Sequence, residues 1–271
     1  ENKYLTEKYS ISYQPSVGSF VELRKEDIDT NLSYESVFLG VGDPKLRKKS
    51  FKDYIVSISD IGLNTRGVLE DSNVIKQKYE NLPYTKNELI SLSKIFNKNK
   101  ILLSNDANEE NIKNLNLEQF EVISFATHAA VSGTLKETSE PFLVLTPPKK
   151  TSHLNDGILT ASEISQLNLN AKLIILSACN TASKENEYAP GFSGLVAAFF
   201  KAGTKSVLAT HWPIADKASA IMISETINKT VNNNIDLSKA LQLTKKEFIN
   251  GKYGEKYKSP AYWASYVVIG K

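Results

Sequence analysis

The chain has 271 residues, of which 41% are hydrophobic and 23% charged, a composition typical of a globular protein. Its net charge of +3 is too small to indicate binding to nucleic acid or to an anionic membrane, and no stretch approaches the roughly 18 apolar residues of a membrane helix. Its single cysteine excludes an internal disulfide, so nothing marks an oxidising compartment and we expect a cytoplasmic protein.

The length suits one large domain or two small ones. Without an evident interdomain linker, we expect residues 1–271 to form a single domain. The only methionine is Met222, so the chain lacks an initiator. We therefore expect a fragment of a longer protein, truncated at its N-terminal side.

Strand and helix patterns alternate through the second half of the chain, which predicts βαβ units and a mostly parallel sheet. Several strands are continuous apolar runs, as expected where helices cover both faces of a sheet. The predicted strands are Tyr9–Tyr13, Ser36–Val41, Lys100–Leu103, Glu121–Ala126, Lys172–Leu176, Ser206–Ala209 and Trp263–Ile269. Phe142–Leu145 and Ile158–Leu159 are predicted to form a hairpin outside this sheet, and residues 43–80 a loop region.

Helices are predicted where apolar residues recur at a period near 3.6, as in Gly191–Ala202. Three further helices are expected to begin at capping side chains, namely Thr85, Asp216 and Asp236. The segment Thr160-x-x-Glu163 matches a capping box. The fold class that these elements predict is α/β.

Two predicted strands lead into chemically reactive side chains. Lys172–Leu176 continues into Ser177-Ala178-Cys179, and Glu121–Ala126 continues into Thr127-His128. If the strands are parallel neighbours, the thiol and the imidazole emerge together at their carboxyl ends, where open α/β sheets bind ligands. Such a pair suffices for nucleophilic attack on a peptide carbonyl. The alternatives are a small buried cysteine and a hydrogen-bonded core histidine.

Several motifs follow one another along the chain, at 125–128 (FATH), 140–148 (EPFLVLTPP), 156–164 (DGILTASEI), 176–181 (LSACNT), 193–195 (SGL), 211–213 (HWP) and 263–264 (WA). In order and spacing they resemble the CHAT domain, a bacterial caspase-like group named for its association with tetratricopeptide repeats. The resemblance covers nearly the whole chain. It implies a caspase-like α/β/α sandwich with a mostly parallel central sheet.

The resemblance also implies a Cys–His endopeptidase. Cys179 would be the nucleophile and His128 the general base and then acid, with backbone N–H groups of Cys179 and Ala129 as the oxyanion hole. Many CHAT domains have glycine where this chain has Ala129, so a need for positive φ there would weaken the site. The implied partners are a protein or peptide substrate and a regulatory helical-repeat module in the same or another chain.

The substrate pocket is less well determined. The candidates for binding a basic P1 side chain are the carboxylates Asp156, Glu140 and Glu163. Two of them have alternative explanations: Asp156-Gly157 is typical of a turn, and Glu163 is typical of the first turn of a helix. Trp212 is a candidate pocket wall or a packing residue. The basic run that includes Lys245 is expected to be a solvated face.

Other kinds of site are not favoured by the sequence. Three scattered histidines and one cysteine do not form a zinc pattern, and we expect no cofactor. Gly40-Val41-Gly42 lacks the third glycine of a dinucleotide fingerprint, so a structural turn is expected there. Two alternatives to a peptidase stay open: a non-catalytic interaction domain that keeps the fold, and a plain α/β domain with an accidental Cys–His pair.

Overall fold

A seven-stranded sheet forms the centre of the fold. The computed structural model describes residues 3–18, 21, 29–46, 79, 81–82, 84–130, 139–152, 155–177, 194–212 and 214–271. The strands are β1 (Ser12–Tyr13), β2 (Val37–Pro44), β3 (Lys98–Ser104), β4 (Val122–Ala126), β5 (Ala129–Ala130), β6 (Phe142–Val144), β7 (Ile158–Thr160), β8 (Leu173–Leu176), β9 (Ser206–Thr210) and β10 (Tyr266–Gly270).

The main sheet has the strand order β1-β10-β9-β8-β4-β2-β3. All neighbouring strands are parallel except β10 and β9. The predicted α/β class with a mostly parallel sheet is therefore confirmed. Strands β5, β6 and β7 form a second, antiparallel sheet, so the hairpin predicted outside the main sheet is also confirmed, with β5 as an added strand directly after His128.

Helices pack on both faces of the main sheet. Those that lie within the described ranges include α1 (Leu5–Lys8), α2 (Thr85–Ser93), α3 (Glu109–Lys113), α4 (Ala161–Ile164), α5 (Gly194–Lys201), α6 (Asp216–Asn232) and α7 (Leu237–Ile249), with 3-10 turns at Leu117–Gln119, Glu255–Lys258 and Pro260–Tyr262. None of the helices in the described part of the chain is long and apolar enough to span a bilayer.

Strand residues alternate between two apolar layers, because successive side chains of a strand point to opposite faces. Ile123, Phe125, Ile174 and Leu176 pack in the layer that contains α5 and its Phe199. Val122, Ala126, Leu173 and Ile175 pack in the opposite layer with side chains of α2, α6 and α7. The result is a helix–sheet–helix sandwich, in which both faces of β4 and β8 are buried.

Several predicted boundaries differ from the structure. Asp236 caps α7 as predicted, accepting from the N–H groups of Ser238 and Lys239, but Thr85 and Asp216 are the first helical residues rather than caps. The Thr85 hydroxyl instead donates back to the Leu82 carbonyl at 2.8 Å. The last strand begins at Tyr266 rather than Trp263, because Pro260–Tyr262 forms a 3-10 turn.

Gly40 and Gly42 are strand residues and not the predicted turn. They lie on the face of β2 covered by α2, and a Cβ at Gly40 would be 3.1 Å from Leu89 Cδ2. A Cβ at Gly42 would be 2.5 Å from the carbonyl oxygen of Ala126 and 2.8 Å from Leu89 Cδ1. The two glycines therefore let helix α2 lie close to the strand.

We predict that Gly42→Ala destabilises the protein by about 1–3 kcal/mol, since the added methyl group must displace the end of β4 or helix α2. Urea unfolding measures the change. The matched control is Gly18→Ala, whose Cβ would meet only Ser16 Oγ at 3.6 Å and should cost less than about 0.5 kcal/mol. Equal free energies of unfolding for the two variants would contradict the close approach.

Candidate active site

His128 and Cys179 come in the sequence after two strands, β4 and β8, which are parallel neighbours in the sheet. Phe125 of β4 is paired with Leu176 of β8, and His128 lies three residues beyond Phe125 just as Cys179 lies three residues beyond Leu176. Cys179 is outside the described residues, which end at Ser177 on this side of the chain. The N–H of Ser177 donates to the Phe125 carbonyl at 3.0 Å, so β8 remains bonded to β4 at this point.

Trp212 follows β9, the strand that pairs with β8 on the side opposite β4. The Trp212 N–H donates to Ser265 Oγ at 2.9 Å, and Ser265 Oγ donates to the Trp212 carbonyl at 3.0 Å. Its side chain remains 40% exposed. The indole N–H also donates to the Ala261 carbonyl at 3.3 Å, so both the backbone and one edge of the partly exposed ring are held, and a role as a pocket wall stays a prediction.

The imidazole of His128 is half-buried and packs against Tyr79. The two ring centroids are 5.2 Å apart and the planes are tilted by 42°. Burial raises the pKa of Tyr79 to about 12, so its hydroxyl stays neutral at any physiological pH. Sequence reasoning missed Tyr79, because it lies in the stretch predicted only as a loop, where no periodicity indicates burial.

Strand β5 directs the backbone of Ala129. Val144 N–H donates to the His128 carbonyl at 2.9 Å, and Ala129 lies opposite Leu143 in the next, non-hydrogen-bonded position of the ladder. In such a position the N–H points away from the partner strand. Since β5 is an edge strand of its sheet, this N–H is directed away from β6, where an oxyanion could accept from it.

Ala129 does not need the backbone conformation that favours glycine. Among the described non-glycine residues, positive φ occurs at Asp43, Ser104 and Asn234. Ala129 has ordinary strand geometry instead, so the methyl group adds no backbone strain. The weakness expected from the missing glycine is therefore not present in the backbone.

Asp156 and Glu140 are both held by backbone donors. Asp156 is buried, and its Oδ1 accepts from the Ile158 N–H at 3.0 Å just before β7. Glu140 Oε2 accepts from the Ser162 N–H at 2.7 Å in the first turn of α4. Each carboxylate thus stabilises a turn or a helix start, and a role in binding substrate stays a prediction. Glu163 forms the predicted capping box with Thr160.

An ion cluster connects the elements around Asp156. Lys113 of α3 pairs with Glu109 and, at 2.8 Å, with Glu163 of α4. Glu109 Oε2 also accepts from the N–H groups of Asp156 at 2.8 Å and Gly157 at 3.3 Å. The Lys113 ammonium therefore connects α3 with α4, and through Glu109 it also connects them with the segment that leads into β7.

The cluster holds more carboxylates than cations. Burial, followed by the charges of Asp156 and Glu163, raises the pKa of Glu109 to about 9. Burial alone would lower the pKa of Lys113, but its hydrogen bonds to Glu109 and Glu163 outweigh this effect and raise it. Lys113 therefore stays charged, and it is the cation that compensates these buried carboxylates.

The prediction that the basic run near the C-terminus forms a solvated face is wrong for Lys245. Its ammonium donates to the Tyr266 carbonyl at 2.7 Å, at the junction of α7 and β10. Burial lowers the pKa of Lys245 to about 8. Lysines 252 and 258 of the same run do pair with surface glutamates, Glu247 and Glu255.

Comparison with known families and proteins gives a consistent result. The sequence profile of the CHAT domain matches residues 1–271. Mouse tetratricopeptide repeat protein 28 is 27% identical over 120 residues, which are 43% of this chain and 5% of that protein. Its human counterpart is 30% identical over 117 residues, which are 43% of this chain and 4% of that protein. The chain thus spans only about 5% of the length of these relatives.

Solved structures share the fold at low sequence identity. A chain of the Saccharomyces cerevisiae separase–securin complex aligns with 97% of this chain and 14% of its own length, with a TM-score of 0.54 and 12% identity. Gingipain R, an Arg-specific cysteine proteinase, aligns with 95% of this chain and 52% of its own length, with a TM-score of 0.51 and 11% identity. The predicted caspase-like α/β/α fold is therefore confirmed.

We predict that Lys113→Met lowers the free energy of unfolding by about 3–5 kcal/mol, because it leaves buried carboxylates without their cation. Burial raises the pKa of Glu163, but its hydrogen bonds, above all that to Lys113, outweigh this effect and hold the pKa below its ordinary value. Without Lys113 the effect of burial prevails, and the pKa of Glu163 rises above that of the unfolded chain. The folded variant then binds more protons, and its stability decreases as pH increases. The loss measured by urea unfolding should therefore be larger at pH 8 than at pH 5.

The control for this prediction is Lys258→Met. Lys258 pairs with Glu255 at 3.0 Å, but both side chains are largely exposed, so its loss should cost less than about 1 kcal/mol. If the two lysine variants lost the same stability, or if the Lys113 variant showed no dependence on pH, the assigned role of the cluster would be wrong.

Proposed function

This chain belongs to the CHAT domain family, and we propose that it is a cysteine endopeptidase with Cys179 as nucleophile and His128 as proton carrier. The observation that supports the proposal is the parallel pairing of β4 with β8 in the register Phe125↔Leu176, because His128 and Cys179 each follow in sequence three residues after this pair. The carboxyl edge of a parallel sheet is where such folds place ligands.

In the proposed mechanism, His128 takes the proton of the Cys179 thiol as the sulfur attacks the carbonyl carbon of a peptide bond. An unperturbed thiol has a pKa near 8.5, so a nearby imidazole is needed for efficient attack at neutral pH. The proton then passes to the leaving amine and an acyl-enzyme remains. Water, deprotonated by His128, hydrolyses this thioester and restores the thiol.

The negative charge on the tetrahedral intermediate needs preorganised donors. We assign this role to the backbone N–H groups of Cys179 and Ala129. The orientation of the Ala129 N–H away from β6 supports this assignment, as does the absence of positive φ at Ala129. One such donor is worth about 3 kcal/mol of transition-state stabilisation in serine peptidases.

The proposed substrates are proteins. The structural relatives are a separase bound to securin and an Arg-specific cysteine proteinase, and both descriptions concern protein partners or protein cleavage. The curated relatives are tetratricopeptide repeat proteins. We infer that a helical-repeat module, in the same chain or in a partner, regulates this domain. Asp156 and Glu140 remain candidates for the first substrate pocket.

The direct test is cleavage of a diverse peptide library, read by mass spectrometry. The wild-type chain should produce cuts that disappear in Cys179→Ala and decrease by at least about 100-fold in His128→Ala. The residue directly on the amino side of each cleaved bond would define the P1 preference. Cuts that persist in Cys179→Ala, or the absence of cuts in the wild type, would reject this activity for residues 1–271 and leave the non-catalytic interaction domain.

Trp212 gives a second prediction. If its exposed indole ring forms one wall of the substrate pocket, Trp212→Ala should raise KM for the best library peptide by about tenfold and change kcat by less than about threefold. The control is Tyr84→Ala, because Tyr84 is similarly exposed at 44% but lies at the start of α2. A decrease in kcat with an unchanged KM would contradict a role in substrate binding and would indicate instead that Trp212 helps to position the reacting residues.

A further inference from the structure

A buried carboxylate lies beneath the end of β8. Glu88 belongs to α2 and is only 2% exposed, next to the fully buried Leu89. Burying a carboxylate costs several kcal/mol unless hydrogen bonds compensate it. A leucine in its place would extend the apolar face of α2, so the retention of a carboxylate at this position needs an explanation.

One partner of this carboxyl group is Ser177, the residue two positions before the candidate nucleophile. Ser177 Oγ donates to Glu88 Oε2 at 2.9 Å. The same hydroxyl lies 3.1 Å from Ser219 Oγ of α6, and Ser219 is itself buried. A hydrogen bond to a charged acceptor is about twice as strong as a neutral one.

Ser177 is therefore fixed from three elements at once. Its N–H bonds to Phe125 of β4, and its hydroxyl bonds to Glu88 of α2 and contacts Ser219 of α6. Only Ala178 separates it from Cys179. These contacts restrain the backbone and the side chain of Ser177, the last described residue before Cys179.

We propose that Glu88 is a positioning residue, which acts through the Ser177 hydroxyl on the placement of Cys179 relative to His128. This inference rests on the proposed Cys–His site. It assigns to α2 a role in supporting the reaction, and it explains why a carboxyl group lies within an apolar helix face. A displacement of about 1 Å in such a pair can reduce the rate by about 100-fold.

The test compares Glu88→Leu, Ser177→Ala and the double variant with the wild type. Each single variant should lower kcat about 10- to 100-fold and leave KM within about twofold. The double variant should be no slower than the worse single variant, because both changes break the same bond. Glu88→Gln keeps an acceptor oxygen for Ser177 and should restore kcat to within about threefold of the wild type.

The control is Ser93→Ala in the same helix. Its hydroxyl donates to the Ile90 carbonyl at 3.0 Å within α2 and does not contact Ser177. This variant should keep the wild-type kcat and KM. Comparison with this variant shows whether a lower kcat comes from a general weakening of α2 or from loss of the Glu88–Ser177 hydrogen bond.

A second readout does not depend on peptidase activity. Cys179 is the only cysteine, so the rate of alkylation by iodoacetamide reports on this thiol alone. In the wild type the imidazole should support alkylation below pH 8.5. In Glu88→Leu and Ser177→Ala the curve of rate against pH should move towards 8.5, with an unchanged plateau at high pH. A merely unfolded variant would also titrate near 8.5, but with a higher plateau at high pH, because its thiol would be fully accessible.

The two readouts separate the possible failures. If the wild type cuts no peptide but the alkylation curve moves as described, the positioning role stands and the peptidase proposal fails. If folded Glu88→Leu and Ser177→Ala have the kcat and the alkylation curve of Ser93→Ala, the positioning role is wrong. Additive losses in the double variant would also overturn it, because they would show that the two residues act separately.

Discussion

The parallel pairing of β4 with β8 is the constraint on which the rest of this structure depends. Because the side-chain period of a strand is two, a slip of one residue would turn every side chain to the opposite face. Here such a slip would move Phe125 and Leu176 out of the layer they share with α5. Burial on both faces therefore fixes the register, and the register in turn sets the level of the residues that follow each strand.

The elements next to the carboxyl end of β4 are linked to one another by the chain and by hydrogen bonds. Strand β5 begins directly after His128, so the second sheet starts from the same chain that carries the imidazole. Thr127 Oγ1 donates to the Val144 carbonyl, and the His128 carbonyl accepts from Val144. The chain on both sides of the imidazole is thus held by β6, while Tyr79 packs against the ring.

Much of the fold and part of the site could be predicted from the sequence. The apolar runs and their alternation with helices predicted the parallel sheet. The strands that lead to His128 and Cys179 are parallel neighbours, as the hypothesis of a Cys–His site at their carboxyl ends requires. Glu88 could not be predicted as a support, since its partner Ser177 is distant in sequence and helix period alone assigns it no function. Gly42 was misread for the same reason, because its role depends on the contact with Ala126. Both misses concern contacts between elements, which no local pattern encodes.

The most direct test of the account is whether the Cys179 sulfur and the His128 imidazole lie within reach of one short bifunctional reagent. The chain has one cysteine and three histidines, so treatment of the folded protein with 1,3-dibromoacetone followed by peptide mass spectrometry identifies any bridge without ambiguity. We predict a bridge between Cys179 and His128 that is absent in His128→Ala. Alkylation of Cys179 without a bridge, or a bridge to His153 or His211 instead, would contradict the pairing of these two residues.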